Sequence, residues 1–275
     1  MIYKKILKSI FPPFMINFFR YLNRKKRIYF SGTYPDWETA KNKSFGYDAT
    51  NIKKKIIDAT ELVVSGKAAY EQDGHVFYKN SYSYHLISIL LRAALENKNR
   101  LSVLDFGGSC GGTYFQNCDF LKNIQSLKWC VVEQKHFVEI GNANFANNII
   151  SFFNSIEDVL KQNHPNVILF SSVLQYLPEP YVVLKKAISS KADYIIIDRN
   201  PFIRKGDTRL SVQKVPGYLI KSSYPIWLFN EIDIKNIFLE QYVEVAKFNA
   251  LDGTVGHGSL KTDFKCIMYK RKKNT

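Results

Sequence analysis

The chain has 275 residues, 46% of them hydrophobic, 15% aromatic and 23% charged, with a net charge of +15. That composition excludes a wholly disordered chain, and 14 Gly with 9 Pro exclude collagen-like and low-complexity classes. Four cysteines, none in a CxxC pair, and the lack of an HExxH or Cys/His cluster exclude a disulfide scaffold and a sequence-readable zinc site, so no metal is expected.

The charge is uneven. Residues 1–35 hold eight basic side chains and no acidic one, residues 261–275 a net +5, and the body, 36–260, only +2. A nearly neutral body argues against a broad phosphate-tracking groove, although the tails could make one. After Pro12-Pro13 the apolar run from Phe14 to Leu22 is interrupted by Asn17, Arg20, Arg24 and Arg27, one stripe of a helix. Such an arm, over 1–28, either lies in an anionic membrane surface with its arginines at the headgroups or packs on protein with a solvated basic face. It is too short and too interrupted to span a bilayer, and no small-residue cleavage site follows it. The chain is expected in the cytoplasm, peripheral on the inner membrane face if the arm binds lipid.

Residues 1–35 therefore read as a basic amphipathic arm. The next segment, 36–100, is helical and aromatic-rich, with helices near 61–64 and 84–95, and is expected to form a cap on a main domain spanning 101–275. There, short β-branched runs at 102–106, 128–133, 149–153, 167–171 and 194–198 alternate with helix-length segments, the rhythm of a parallel α/β sheet. A long loop is expected over 199–230, which carries Pro201, Pro216, Gly217 and Pro225. A helix near 231–239 and strands near 242–249 and 264–269 follow. The last two are joined by a turn too short for a helix, so they pair antiparallel. The expected fold is an α/β, doubly wound, seven-stranded, mostly parallel sheet with its last strand antiparallel and an N-terminal helical cap.

The most informative stretch is Asp105-Phe106-Gly107-Gly108-Ser109-Cys110-Gly111-Gly112, where a strand ends in a glycine turn that opens a helix. Glycines let backbone N–H groups approach a ligand without a Cβ in the way. Glu133 ends the second strand, placed to accept hydrogen bonds from ribose hydroxyls, which fits both dinucleotides and S-adenosylmethionine (SAM). Asp105 separates the two. A carboxylate repels a pyrophosphate and attracts the ammonium and sulfonium of SAM, so the cofactor expected is SAM and not NAD. Asn154 after the third strand can read an adenine edge or cap the next helix. Ser171, at the end of the fourth strand, leads into Ser172-Val173-Leu174-Gln175-Tyr176, a turn across the switch point from the glycine loop. Cys110 reads as a small packing residue.

On these residues the chain resembles the class I, Rossmann-like SAM-dependent methyltransferases, and more narrowly a methyltransferase family of bacterial surface-polysaccharide loci. The segments that carry the likeness are Phe30-Ser31-Gly32-Thr33-Tyr34 with Trp37, Gly46-Tyr47-Asp48, VLDFGGSCGGTY at 103–114, VVEQ at 131–134, SSVLQYL at 171–177, IIIDRNPF at 195–202 and SYPIWLF at 223–229. Ser109 stands where the general motif has its middle glycine, and Asn166 where an acidic residue commonly opens the fourth strand. The resemblance implies that Asp105, Gly107 and Gly111 line the methionine end, Glu133 the ribose and Asn154 the adenine; Gly108, Ser109 and Ser171 are further candidates for binding the cofactor. It implies a methyl transfer without naming the acceptor; the leading expectation is O-methylation of a small-molecule or lipid-linked saccharide.

Methylation of a hydroxyl needs alignment and a base for one proton. His75 and Tyr176 are the candidate bases, with His85 also on the way into the first strand. Gln175, Arg199, Gln213 and Tyr224 are the candidates for gripping a polar acceptor. Three rivals are weighed. A nucleic-acid methyltransferase fits the overall charge, but the turn after the fourth strand, Ser171-Ser172-Val173-Leu174, lacks an Asn/Asp-Pro-Pro-Tyr pattern. An NAD-dependent sugar oxidoreductase or epimerase is opposed by Asp105. A non-catalytic, partner-binding member is the third.

Overall fold

A computed structural model describes residues 28–45, 49–215, 222–256 and 260–273. The arm expected over 1–28, save its last residue, and Gly46-Tyr47-Asp48 lie outside the described residues. From the amino end come strand β1 (Tyr29–Tyr34), helices α1 (Trp37–Asn42) and α2 (Ala49–Val64), a hairpin of β2 (Tyr70–Gln72) and β3 (His75–Phe77), and helix α3 (Tyr84–Glu96). Strands and helices then alternate: β4 (Arg100–Phe106), α4 (Gly112–Leu121), β5 (Ser126–Val132), α5 (Lys135–Asn144), β6 (Ile150–Phe153), α6 (Ile156–Gln162) and β7 (Val167–Ser171). A single 3₁₀ turn (Leu174–Tyr176), α7 (Pro180–Ser189) and β8 (Tyr194–Ile203) follow. The chain continues through β9 (Arg209–Val215), β10 (Ser222–Leu228), α8 (Glu231–Phe238), β11 (Tyr242–Val255) and β12 (Thr262–Arg271).

Seven strands form the central sheet in the order β11-β12-β8-β7-β4-β5-β6. β4 through β8 run parallel, and β12 pairs antiparallel with both β8 and β11, so the expected doubly wound sheet with its last strand reversed is present. The strand sequences explain why both faces are covered. Along β4, β5, β7 and β8 one set of side chains (Val103, Trp129, Leu169, Ile196) packs under α3, α4 and α5, and the alternate set (Leu104, Cys130, Ile168, Ile195) under α6, α7 and α8. Asn166 ties the amino ends of β4 and β7 together: its Oδ1 accepts from the Ser102 N–H at 2.9 Å and its Nδ2 donates to the Arg100 carbonyl at 3.0 Å.

Three expectations change. Residues 29–34 are not part of an arm; they form β1, which pairs with β9. The cap region is not purely helical, since it contains the β2–β3 hairpin, and α3 lies in the main core. The long loop expected over 199–230 is largely strand: β8 runs on to Ile203, and β9 and β10 join β1 in a second, three-stranded antiparallel sheet. Pro216 and Gly217 lie outside the described residues; Pro201 and Pro225 sit where strands tolerate them. Pro225 lies on β10, an edge strand of that sheet, where a missing N–H leaves no partner unpaired. Pro201 offers its carbonyl to the Phe229 N–H at 3.0 Å, which anchors the second sheet to the first.

Leu169, fully buried in β7, and Val182, 47% exposed on α7, test this layering. Leu169→Ala is expected to cost about 2–5 kcal/mol in chemical denaturation, and Val182→Ala no more than about 0.5 kcal/mol.

Candidate functional site

The strand order reverses between β4 and β7, and an open α/β sheet has its crevice at the carboxyl ends of such a pair. The glycine loop fills one side of it. The Gly107 N–H donates to the Val132 carbonyl at 2.8 Å, and the Gly111 N–H to the Gly108 carbonyl at 2.9 Å. Gly107, Ser109 and Gly111 all have positive φ (+74°, +53° and +88°), so Ser109 takes up the left-handed backbone of the glycine it replaces. Its hydroxyl is buried without a partner. Gly111 caps α4, and as a glycine it supplies no side-chain hydrogen bond to the helix's first N–H groups.

Asp105 lies directly beneath this loop. It is 1% exposed, and a Cβ on Gly108 would come within 2.6 Å of its Oδ2. Oδ2 accepts from the Trp129 indole at 3.1 Å, while Oδ1 has no partner. Burial pushes the carboxyl up to about 7; the Trp129 hydrogen bond opposes this, and the Glu133 and Asp198 carboxylates add to it. Glu133 follows β5 and its Oε2 accepts from the Gln134 N–H at 2.6 Å. Burial raises its carboxyl, against the backbone N–H groups of Gln134 and Ser109 that lower it. Asn154 is exposed and is not a helix cap. Ser155 caps α6 instead, accepting from the Asp158 N–H at 3.1 Å.

On the other side of the crevice several predicted residues are committed to one another. Ser171 donates to Asp198 Oδ2 at 2.8 Å. Gln175 is fully buried; its Nε2 donates to Ser172 Oγ at 3.1 Å and to the Arg199 carbonyl at 3.4 Å, and its Oε1 is unpartnered. Arg199 is held bidentate by Asp252 of β11, both bonds 2.9 Å, so its guanidinium is not free to grip an acceptor alone.

Tyr176, Gln213 and Tyr224 meet where the second sheet covers the 3₁₀ turn. Tyr176 donates to Gln213 Oε1 at 3.4 Å, Gln213 Nε2 donates to the Tyr224 hydroxyl at 2.8 Å, and the two rings pack edge to face. Burial pushes the Tyr176 phenol up to about 12, which weighs against a role as base near neutral pH. His85 is stacked on Phe248 at 4.6 Å. Cys110 is fully buried, and burial pushes its thiol up to about 12, in keeping with packing.

His75 sits on the β2–β3 hairpin, which leans on the glycine loop. Glu71 of that hairpin places Oε1 2.6 Å from where a Gly112 Cβ would be, at the start of α4, and its Oε2 accepts from the Gly74 N–H at 3.1 Å. Burial pushes the Glu71 carboxyl up to about 7. Asp73, at the hairpin turn, acts electrostatically on both the Tyr176 phenol and Arg199. Sequence reasoning missed Glu71, Asp73, Trp129 and Asp252 as site residues. Only Trp129, adjoining the Cys130-Val131-Val132-Glu133 run, carried a local signal. Among the described residues no group of His, Cys, Asp and Glu is placed to hold a metal.

No family profile matches the chain, and no curated protein matches it. Among solved structures it is similar to the N-terminal domain of EvdMO1 in the presence of SAH (S-adenosylhomocysteine) and D-fucose, at 12% identity over 82% of this chain and 97% of that one, with a TM-score of 0.48. It is also similar to magnesium protoporphyrin IX methyltransferase from Synechocystis PCC 6803 with bound SAM, at 11% identity over 79% and 97%, TM-score 0.43. A third is CalS10, an amino pentose methyltransferase from Micromonospora echinaspora, at 7% identity over 70% and 92%, TM-score 0.44.

Because Asp105 is raised above an ordinary aspartate, the folded protein keeps a proton that the unfolded chain releases between about pH 4 and 7. Stability therefore falls as pH rises through that range. Asp105→Asn keeps the acceptor for Trp129 and removes the charge. Its stability relative to the wild type is expected to rise by about 1 kcal/mol or more between pH 5 and pH 8 in urea denaturation. A parallel pH dependence of the two proteins would contradict this.

Proposed function

We propose that the chain is a SAM-dependent methyltransferase acting on a hydroxyl of a saccharide or another small polar acceptor in surface-polysaccharide biosynthesis. One observation carries the reading: the buried Asp105 carboxylate, unpartnered at Oδ1, lies under a loop whose Gly108 has no room for a Cβ. A cationic ligand compensates that carboxylate, and a pyrophosphate is repelled by it.

SAM, when bound, supplies a methyl group activated by a positive sulfonium. The residues of the crevice fit it. The loop backbone and the first N–H groups of α4 suit a ligand carboxylate. Asp105 suits the positive methionine end, Glu133 the ribose hydroxyls and Asn154 the adenine edge. Tyr176, Gln213 and Tyr224 orient the acceptor through hydroxyl and amide groups. With the Tyr176 phenol raised by burial, His75 on the hairpin is the residue we assign to take the hydroxyl proton. The oxidoreductase alternative gains nothing from Tyr181 and Lys185 of α7, whose spacing could suggest a hydride-transfer pair, since the Tyr181 hydroxyl is engaged with Thr208 at 3.3 Å.

The same reading puts the chain at the inner face of the cytoplasmic membrane, with residues 1–28 as its contact. Among the described residues no helix is long and apolar enough to cross a membrane.

Two measurements follow. In calorimetry SAH is expected to bind and NAD not to. Glu133→Ala is expected to weaken SAH by about tenfold through loss of its hydrogen bonds. Tight NAD binding with none for SAH overturns the reading. Deleting residues 1–28 is expected to release the protein from anionic liposomes, and unchanged partitioning contradicts the membrane assignment.

A further inference from the structure

The chain as a whole carries +15, yet the acceptor side of the crevice is acidic. Asp73 stands at the hairpin turn with its backbone in the left-handed region (φ +52°) and acts on both Tyr176 and Arg199. Arg199, the cation on that wall, is already neutralised by its two 2.9 Å bonds to Asp252. The remaining wall, Tyr176, Gln213 and Tyr224, is uncharged.

The hydrogen-bonding inventory gives an independent indication. Asp198 and Gln175 are both at least 99% buried at the carboxyl ends of β8 and β7, and each keeps one oxygen, Oδ1 and Oε1, without a partner. Both are acceptors. The amide hydrogens of Gln175 are taken up by Ser172 and the Arg199 carbonyl, so this wall has acceptors to satisfy and little to donate. A hydroxyl or an ammonium brings donors to it; a carboxylate or a phosphate brings only further acceptors and negative charge.

Resting on the methyltransferase reading above, we propose that the acceptor is neutral or cationic around the methylated hydroxyl, a plain or amino sugar or a comparable polyol, and that acceptors bearing a carboxylate or phosphate there are rejected. Uronic acids and sugar phosphates are then poor substrates, and a nucleic acid, with a phosphate at every residue, is poorer still.

The test needs no knowledge of the natural acceptor. Three SAH analogues in which nitrogen replaces the sulfur carry a 2-hydroxyethyl, a 2-aminoethyl or a carboxymethyl arm directed to the acceptor side, and calorimetry with the full chain compares them. The hydroxyethyl and aminoethyl arms are expected to bind at least about tenfold more tightly than the carboxymethyl arm. Asp73→Asn, which the left-handed backbone tolerates, is expected to narrow that gap by about threefold or more. Equal affinities, a preference for the carboxymethyl arm, or a gap unchanged in Asp73→Asn would overturn the acceptor proposal while SAH still binds. Failure of SAH and all three analogues to bind would instead overturn the methyltransferase reading.

Discussion

A carboxylate with one hydrogen bond, buried beneath a glycine that has no room for a Cβ, is the constraint around which this protein is arranged. Asp105 points to the α4 face of the sheet because it alternates with Leu104 along β4, and Trp129 on the neighbouring strand reaches it with an indole N–H. Gly108 must lack a Cβ for the loop to settle over it. An asparagine would accept the same hydrogen bond without the cost of burying a charge, so packing alone does not account for an aspartate here. The cost is offset by a proton, which the raised carboxyl retains, or by something positive entering the crevice.

The rest of the carboxyl edge follows the same logic. Among the described residues, five of the eight buried side-chain atoms without a partner belong to Asp105, Ser109, Gln175, Asp198 and Asn200, on β4 and β8 or in the segments that follow β4 and β7. Interiors rarely leave such atoms unpaired, and their concentration at the topological switch point marks where a ligand completes the structure. Two elements outside the alternating strands and helices enclose this edge. The β2–β3 hairpin places Glu71 against the start of α4, and the β1-β9-β10 sheet is fastened to β8 through Pro201 and Phe229. Trp227 of β10 adds a third tie, donating to the Leu177 carbonyl at 3.0 Å.

What was legible in the sequence was local. The apolar runs of β7 and β8, the glycine turn after β4 and the reversed last strand all follow from short-range pattern, and so does the crevice they create. The second sheet was not legible, because β1 and β9 pair across about 180 residues and the prolines of β8 and β10 read as loop until their edge and anchoring positions are seen. The partners of the site residues were hidden for the same reason. Nothing near Arg199 in the chain announces Asp252, and nothing near Tyr176 announces Gln213, since these contacts depend on how distant segments meet. Burial raises the Tyr176 phenol, which weighs against a role as base and which residue type alone does not reveal.

The central claim concerns the charge state of a single side chain, so the most direct measurement follows that side chain. With aspartate carboxyl carbons isotopically labelled and the Asp105 signal assigned by its absence in Asp105→Asn, carbon NMR near neutral pH reports its protonation before and after SAM is added. A signal with substantial protonated character in the free protein that moves to the ionised position on saturation with SAM is the predicted result. A carboxyl already fully ionised in the free protein, or one that does not respond to SAM, would contradict the account.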